Sequence, residues 1–246
     1  SSAASDVYKR QNKSGYDFTV EDGKIRYALT AVKGVGEANM KALVAEREAR
    51  GPFKDISDFV HRIDIRQTNR KQLEQLIKSG AFDCLDKNRG RLFAHIDNII
   101  QHISSSSELK TSSQSSLFGN EEMQAKIKLK DEPDWVELEK LKLEAEAVGF
   151  YLSAHPLDSY RDGMEKLGVK NCSEVFRNIQ LGDMIRAKLA GCVNSFKKKI
   201  SQKGNRFAFL ELSDASGAFE GILFSETLQR SEEMINSGLP LLASVT

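Results

Sequence analysis

Apolar residues in the first half of the chain recur every three to four positions, which is the spacing of amphipathic helices. Residues that start or stop a helix bound each stretch: Asn69 is a typical N-cap, and Gly51 and Gly80 follow the last periodic positions. The pattern predicts helices after Gly36, within 53–63, after Asn69 and within 92–103. We therefore predict a compact all-helical domain over residues 28–103.

Alternating apolar and polar positions near both ends of the chain indicate β-structure. Residues 12–27 contain an Asp-Gly pair at Asp22 between alternating apolar residues, which predicts a β-hairpin. Residues 181–246 predict three strands, a helix over 225–237 and a fourth strand from Leu239. That order is typical of an OB-fold β-barrel, whose fifth strand would lie beyond Thr246. The expected fold class is therefore multidomain α plus β, with a C-terminally truncated barrel.

The middle of the chain differs from both regions. Residues 104–133 are rich in serine and predict a flexible linker. Residues 134–180 predict connecting helices, the first of them over 137–148. His155 precedes a proline but is accompanied by no nucleophile pattern or second metal ligand. A packed or capping histidine is therefore favoured over a catalytic one.

Composition and charge exclude few function classes. The chain has 36 basic and 35 acidic side chains and a net charge of +1, so DNA binding would have to come from local patches. The three cysteines form no Cys-x-x-Cys pair, which disfavours a zinc site or a disulfide framework and fits a reducing cytoplasm. Since no apolar run reaches membrane-spanning length, we expect a cytoplasmic location and no membrane partner.

The first eleven residues are predicted to be foreign to the protein. The string Asp-Val-Tyr-Lys-Arg-Gln at 6–11 can be encoded by GAT GTG TAT AAG AGA CAG, which resembles the transposase end used to build sequencing libraries. We therefore treat residues 1–11 as adapter-derived and leave them out of the fold argument. Together with the chain end inside a predicted strand, this indicates an internal fragment of a longer protein.

The turn Lys33-Gly34-Val35-Gly36 is the most informative segment for chemistry. Its two glycines permit a tight backbone that presents bare N–H groups at the start of the following helix. Such a helix-hairpin-helix turn binds the sugar-phosphate backbone of nucleic acid without reading bases, and Lys33 adds a cation. A tight turn without a ligand is the alternative. A second turn, at 79–82, has one glycine in place of two, and a helix C-cap explains it equally well.

A second candidate nucleic-acid site is a basic loop between the first two strands of the predicted barrel. Its members are Lys197, Lys198, Lys199, Lys203 and Arg206. OB-folds commonly bind single strands through this loop, although a solvated hairpin without a ligand is the competing interpretation. Phe207 and Phe209 share one face by period two and are predicted to lie in the barrel core. Phe196 is therefore the better candidate for stacking against a base.

The predicted linker contains one apolar pair, Leu117-Phe118, for which a polar tether has little need. With Gln114 it forms the string Gln-Ser-Ser-Leu-Phe, the form of the short peptide that bacterial sliding clamps capture. In that mode the apolar side chains fill a pocket and Gln114 anchors the backbone. The alternative is that the pair folds back onto a neighbouring domain, and motifs of five residues also occur by chance.

The order of these modules resembles the C-terminal third of the bacterial replicative C-family DNA polymerases, the DNA polymerase III alpha subunits. Three strings carry the resemblance. They are Ala-Leu-Thr-Ala-Val-Lys-Gly-Val-Gly at 28–36, Leu-Ile-Lys-Ser-Gly-Ala-Phe-Asp at 76–83 and Gly-Phe-Tyr-Leu-Ser-Ala-His-Pro-Leu-Asp at 149–158. The resemblance covers residues 12–246. The strings at 76–83 and 149–158 are far more specific to the family than the hairpin or the OB-fold.

The resemblance implies a role for each candidate site. Gly34, Val35 and Gly36 would hold duplex DNA behind a polymerase active site, and residues 12–27 would end the fingers region. Residues 104–133 would carry the peptide that docks in the sliding clamp, the beta subunit, through Gln114, Leu117 and Phe118. The OB-fold would meet the single-stranded template, and other subunits of the holoenzyme would be further partners.

The resemblance also implies where the chemistry lies. In the family, acidic residues of an upstream palm hold two Mg²⁺ ions at the transferring phosphate. We therefore expect no cofactor, metal site or catalytic residue in this chain, and assign none to Asp83, Asp86 or Asp214. The chain alone is predicted to be inactive, while its parent is predicted to be a DNA-directed DNA polymerase, a nucleotidyltransferase.

Two other interpretations remain open at this stage. The same modules could form a stand-alone helix-hairpin-helix and OB-fold adaptor that binds DNA during repair. A long reading frame upstream of Gly15 would favour the polymerase over the adaptor. The third interpretation is the mutagenic paralogue of the same polymerase family, which we expect to lack a good clamp peptide. The intact string from Gln114 to Phe118 argues weakly against that paralogue.

Overall fold

The computed structural model describes residues 14–21, 24–111, 126–180 and 186–246. The chain divides into two compact units, with the division between Ser153 and Ala154. We call them the N-terminal unit and the C-terminal unit. The predicted clamp-binding residues Gln114, Leu117 and Phe118 lie outside the described residues.

The N-terminal unit begins with a β-hairpin and continues as helices. Strands β1 (Thr19–Glu21) and β2 (Lys24–Arg26) pair antiparallel, as the hairpin signal predicts. A 3-10 turn follows at Leu29–Ala31. The helices are α1 (Glu37–Arg50), α2 (Ile56–Arg62), α3 (Arg70–Lys78), α4 (Arg89–Ala94), α5 (Ile96–Thr111) and α6 (Glu137–Val148).

Local capping chemistry explains where these helices start and stop. The Asn69 side chain accepts a hydrogen bond from the Gln72 N–H and so satisfies an amide at the start of α3. Gly51 ends α1 with φ of +81°, and Gly149 ends α6 with φ of +104°. Both values lie in the region that glycine alone adopts without strain. The predicted cap at Asn69 and the predicted stop at Gly51 are confirmed.

The core of the N-terminal unit is the apolar stripe that the periodicity predicts. Phe59 is 1% exposed and packs edge-to-face against Phe53 and Phe82, with ring centroids 5.3 and 5.0 Å away. Leu73 of α3 and Leu92 of α4 are buried in the same cluster. Edge-to-face packing lets aromatic rings fill a core with few voids.

The predicted linker over 104–133 differs from the structure at both of its ends. Helix α5 continues to Thr111, because Ile103 is buried and serine hydroxyls find partners along the helix, as Ser105 does with the Gln101 carbonyl. At the other end, Ile127, Leu129 and Trp135 pack against the helical core. The compact unit therefore extends beyond residue 103 and includes residues 126–135.

The C-terminal unit is a mixed sheet with short helices. It contains a 3-10 turn (Pro156–Tyr160), α7 (Arg161–Lys166), β3 (Val169–Lys170), α8 (Cys172–Gln180), β4 (Ala187–Ile200), β5 (Arg206–Asp214), β6 (Gly217–Phe224), α9 (Ser225–Asn236) and β7 (Leu241–Val245). The predicted order of three strands, a helix and a strand is thus present from β4 to β7.

The described strands form an open sheet and not a closed barrel. Its order is β3-β4-β5-β6, and β7 pairs antiparallel with the first half of β4. Strand β6 lies at an edge, so the described strands do not close on themselves. Strand β4 pairs with β7 over residues 187–191 and with β5 over residues 192–200, and a register shift between Val193 and Ser195 interrupts the pairing with β5. Leu210, Leu212 and Phe219 are buried on the covered face.

His155 has the capping role that the sequence favours. Its Nδ1 accepts a hydrogen bond from the Leu157 N–H at 3.2 Å, and its own N–H donates to the Asp158 carboxylate at 2.9 Å. The two bonds form a capping box at the start of the 3-10 turn. The ring also contacts the Ser213 hydroxyl at 3.4 Å, within the same unit.

Candidate nucleic-acid interface

The turn from Lys33 to Gly36 has the backbone that its two glycines predict. Gly34 adopts φ of +75°, and Gly36 is the N-cap of α1 with an extended φ of −77°. The Lys33 N–H donates to the Ala147 carbonyl of α6 at 2.8 Å, and the Val35 N–H donates to the Val32 carbonyl at 3.2 Å. These two bonds fix the turn. No side chain caps α1, which leaves its first amides open to an acceptor.

Helix α3 packs directly against this turn, although it is far away in sequence. A β-carbon on Gly34 would lie 3.3 Å from the Lys71 Cε, and one on Gly36 would lie 3.2 Å from the Gln72 amide nitrogen. The Gln72 side chain also accepts a hydrogen bond of 3.0 Å from Asn39 of α1. A side chain at either position would therefore crowd its neighbour on α3, and at Gly34 the positive φ adds a conformational constraint.

Two lysines flank the turn, and no acidic side chain of the described residues pairs with either of them. They are Lys33, which precedes the turn, and Lys71, which lies over it from α3. By contrast, Lys78 of α3 pairs with Glu146 at 3.2 Å and Arg70 pairs with Glu74 at 2.8 Å. Available cations beside open amides are suited to a phosphate group.

Glu37 works against an anion at the same place. It lies in the first turn of α1 and pairs with Lys41 at 2.6 Å. The hydrogen bond and charge of Lys41 lower the pKa of Glu37, so this carboxylate is ionised at neutral pH. It complements the helix dipole, as acidic residues in a first turn do. Any phosphate at the turn is therefore bound against one local negative charge.

The second turn, at 79–82, is a helix C-cap and is filled by a side chain. The Gly80 N–H bonds to the Ile77 carbonyl and the Ala81 N–H bonds to the Leu76 carbonyl, which is the Schellman pattern. A β-carbon on Gly80 would lie 2.1 Å from an Arg89 guanidinium nitrogen. Since Arg89 occupies the space over this glycine, the second turn offers no room for a phosphate.

Arg89 is the centre of a buried ionic network that joins distant segments. Its guanidinium donates two hydrogen bonds to Asp83 at 2.8 and 2.6 Å and lies 3.6 Å from the Glu144 carboxylate. Glu144 is 1% exposed and accepts bonds from the Leu152 N–H and from both the N–H and hydroxyl of Ser153. Burial acts to lower the pKa of Arg89, but Asp83 and Glu144 together raise it above its usual value.

The basic residues of the C-terminal unit lie mainly on a strand, which corrects the predicted loop. Lys197, Lys198 and Lys199 belong to β4, and Arg206 begins β5, so that only Lys203 lies in the connecting turn. Because side chains alternate along a strand, Lys198 lies on one face of the sheet and Lys197 and Lys199 lie on the other. Lys198 pairs with Glu232 of α9, while Lys197 and Lys199 are opposite Phe209 and Phe207 on the other face of the sheet.

The aromatic assignments for this sheet are reversed in the structure. Phe196 is half-buried and packs against the buried cluster of the unit, which disfavours it as a stacking candidate. Phe207 and Phe209 are half-buried and lie on the face opposite buried Ala208 and Leu210. The pairing register of β4 with β5 decides which side chains share a face across the two strands, and this register cannot be read from the sequence of either strand alone.

The acidic residues have structural partners. Asp83 pairs with Arg89 and Asp86 pairs with Arg91 at 2.8 Å. Asp214 accepts hydrogen bonds from the backbone N–H groups of Cys172, Ser216 and Gly217 at the turn before β6. Within the described ranges, no three histidine, cysteine or acidic side chains come together as a metal site would require. In the same ranges, no helix has the length and apolarity needed to cross a membrane.

Comparison with known proteins gives two kinds of match. A family model described as a helix-hairpin-helix motif matches residues 11–92. Three DNA polymerase III alpha subunits are similar along nearly the whole chain. Those of Caulobacter vibrioides, Deinococcus radiodurans and Buchnera aphidicola are 36%, 33% and 38% identical over 92%, 95% and 91% of this chain. The chain spans only about a fifth of their length, 20%, 18% and 20% respectively.

Proposed function

Over more than nine-tenths of its length the chain is homologous to part of the bacterial DNA polymerase III alpha subunit, and we propose that it is a DNA-binding region of such a replicative polymerase. In this proposal the parent protein carries out template-directed DNA synthesis in the cytoplasm. Its catalytic acids and Mg²⁺ belong to other parts of the parent. This chain supplies binding surfaces that keep the enzyme on its template.

The observation that carries the proposal is the turn at Gly34. It combines a positive φ at Gly34, the uncapped start of α1 at Gly36 and two lysines, Lys33 next to Gly34 in sequence and Lys71, whose side chain lies over Gly34. Backbone amides and cations of this kind contact phosphates and carry no information about sequence. The proposed ligand at the turn is therefore the backbone of duplex DNA.

A matched pair of glycine substitutions tests this site. Gly34→Ala and Gly51→Ala each place a β-carbon at a positive φ, +75° and +81°, but only Gly34 lies at the proposed site. We expect Gly34→Ala to weaken binding to a labelled duplex of random sequence by about ten-fold, and Gly51→Ala to leave it unchanged. Fluorescence anisotropy measures both. Equal affinities for the two variants at equal thermal stability would remove the hairpin from the proposal.

The C-terminal unit is proposed to contact single-stranded DNA. The order and pairing of β4 to β7 agree with four strands of an OB-fold, in which the first strand pairs with both the second and the fourth. Lys197, Lys199, Lys203 and Arg206 would supply the cations of the groove. Lys198 contributes less, because it is paired with Glu232.

The third proposed contact is the sliding clamp, through Gln114, Leu117 and Phe118. It rests on the sequence string and on the homology, since these residues are outside the described ranges. The test is binding of a labelled peptide over residues 108–122 to a bacterial sliding clamp, beside the same peptide with Leu117→Ala and Phe118→Ala. We expect saturable binding that the double change abolishes. Equal binding by both peptides, or none, would remove the clamp contact and leave a chain whose proposed contacts are with DNA alone, with its assignment to the polymerase resting on homology.

A further inference from the structure

Helix α6 contacts the turn from Lys33 to Gly36 through its last residues. The Lys33 N–H donates a hydrogen bond to the Ala147 carbonyl at 2.8 Å. A small buried cluster supports this contact; its members are Tyr27, Val32, Ala147 and Val148, with Ala31 and Val35 packed against them. Helix α6 lies beyond the helix-hairpin-helix region at residues 11–92. It is therefore a third element of the candidate site, besides α1 and α3.

The side chain of Lys33 also lies at the end of α6. Gly149 is the C-cap of this helix, with φ of +104°. A β-carbon on Gly149 would lie 3.4 Å from the Lys33 Cε and 3.5 Å from the Lys33 Nζ, which is ordinary van der Waals contact. Side-chain atoms beyond a β-carbon at position 149 would compete with the ammonium group for the same space. The identity of residue 149 therefore decides what surrounds the Lys33 charge.

The C-terminal end of a helix attracts a cation. Its last carbonyls carry a partial negative charge, and a basic side chain near them is stabilising. The last turn of α6 contains no basic residue of its own. Lys33 supplies this cation from outside the helix. The attraction restrains a side chain whose flexible four-carbon stem has many conformations in solution.

We propose that α6 positions the Lys33 ammonium group for a DNA phosphate, and that Gly149 is a positioning residue of the duplex-binding site. The helix end carries only about half an elementary charge, so the ammonium keeps its attraction for a phosphate. A lysine that is already ordered loses less conformational entropy when it binds. This inference rests on the proposed binding of duplex DNA at Gly34, and it adds the element that orients one of the cations there.

A charged and a neutral substitution of the same shape at position 149 test this role. Asparagine and aspartate both tolerate the left-handed conformation, but only Gly149→Asp places a carboxylate beside the Lys33 ammonium. We expect Gly149→Asp to weaken binding to a labelled duplex about five-fold, and to make the slope of log affinity against log salt shallower by about 0.9, the value of one phosphate contact. Gly149→Asn should keep the wild-type slope, with an affinity within about two-fold of wild type. Fluorescence anisotropy at several salt concentrations measures both variants below their unfolding temperatures.

Two controls separate the Lys33 ammonium from the added negative charge. Gly168 also has a positive φ, +68°, and a β-carbon there meets nothing within 4 Å, so Gly168→Asp should leave the slope unchanged. In a Lys33→Ala background, Gly149→Asp should cause no further loss of affinity, because the cation that it would pair with is absent. The same loss with and without Lys33 would mean that the carboxylate repels DNA directly, and would overturn the inference.

Failure of the inference and failure of the proposed function give different results. If Gly34→Ala weakens duplex binding but Gly149→Asp behaves as Gly168→Asp does, the turn stands as a phosphate site and α6 does not position its lysine. Equal losses for Gly149→Asn and Gly149→Asp would also overturn the inference, since the charge beside Lys33 would then not matter. If the full chain binds no duplex, the proposed function fails together with the inference.

Discussion

At the scale of single residues, one buried guanidinium connects two of the three strings that carry the family resemblance. Arg89 lies over Gly80, pairs with Asp83 and approaches Glu144, which in turn holds Leu152 and Ser153. The segments 76–83 and 149–158 are thus connected through residues that neither string contains. Both segments are therefore held in place by a charged side chain packed in the interior.

Removal of this guanidinium is expected to be costly. Arg89→Ala leaves the buried Glu144 carboxylate and Asp83 without their cation, which destabilises comparable buried pairs by about 3–5 kcal/mol. We predict a loss of that size in the free energy of unfolding of the N-terminal unit, measured by denaturant titration. Arg66→Ala is the control, because Arg66 is exposed and pairs with Asp64 at the surface. Similar losses for the two variants would show that the network is not important for stability.

The acidic residue at the hairpin gives a second prediction at this scale. Glu37→Gln removes the negative charge nearest the proposed phosphate, so we expect duplex affinity to rise about two- to five-fold at low salt. Glu226→Gln is matched to it, since Glu226 also lies in the first turn of a helix and pairs with the residue four positions later, Arg230. Anisotropy titrations of both variants decide the matter. A fall in affinity with Glu37→Gln would mean that no phosphate lies near this carboxylate.

At the scale of secondary-structure elements, the periodic patterns and caps could be predicted from the sequence because they depend on neighbours only. Asn69, Gly51 and the hairpin around residues 22–23 are examples. The end of α5 could not, because serines that are typical of linkers are held in the helix by Ile103 and by the Ile65 N–H bonded to Ser107. Serine content indicates flexibility only where no packing surface is available.

The capping turn at His155 responds to pH in a defined direction. Burial lowers the pKa of His155 below its usual 6.5, against the opposing charges of Asp158 and Asp214. The unfolded chain therefore takes up a proton more readily, and stability that is present above about pH 6.5 is lost as the pH falls toward the folded pKa. We predict a lower unfolding temperature of the C-terminal unit at pH 5.5 than at pH 7.5.

The control for this prediction is His155→Asn, whose side-chain oxygen can accept the Leu157 N–H without titrating. The difference in unfolding temperature between the two pH values should be smaller in this variant. If wild type and variant show the same difference, His155 does not contribute to the pH dependence.

The exposure of Phe207 and Phe209 also belongs to this scale, because it depends on strand register. Period two alone shows that Phe207 and Phe209 share a face, but it does not show which face is covered. That information comes from α9, whose Ile235 lies in the same buried cluster as Leu210, while Phe207 and Phe209 are outside that cluster. The position of Lys71 beside the hairpin also could not be predicted from the sequence, since α3 approaches Gly34 only in the folded unit.

At the scale of the whole molecule, the proposed clamp peptide is attached at both sides to the N-terminal unit. Helix α5 holds the chain as far as Thr111, and beyond residue 125 the Ile127 N–H bonds to the Ser57 hydroxyl at 3.0 Å. The Asn88 side chain donates a hydrogen bond to the Glu132 carbonyl, and the Gly90 N–H donates one to the Asp134 carboxylate. The 14 residues 112–125 have a contour length of about 50 Å, which limits how far a bound clamp can lie from the helical core.

The chain is proposed to bind DNA through phosphates, although its net charge is only +1. Local cations must therefore supply the attraction, and each phosphate that they neutralise contributes a slope of about −0.9 to a plot of log affinity against log salt for duplex DNA. Lys33 and Lys71 are the two that flank the hairpin.

The most direct test is the salt dependence of duplex binding by the full chain and by a variant with Lys33→Ala and Lys71→Ala. We predict a steep negative slope for wild type, and a slope that is shallower by about 1.8 for the variant, with no change in sequence preference. A flat salt response, or equal slopes for the two proteins, would contradict the assignment of the hairpin as a phosphate-binding site.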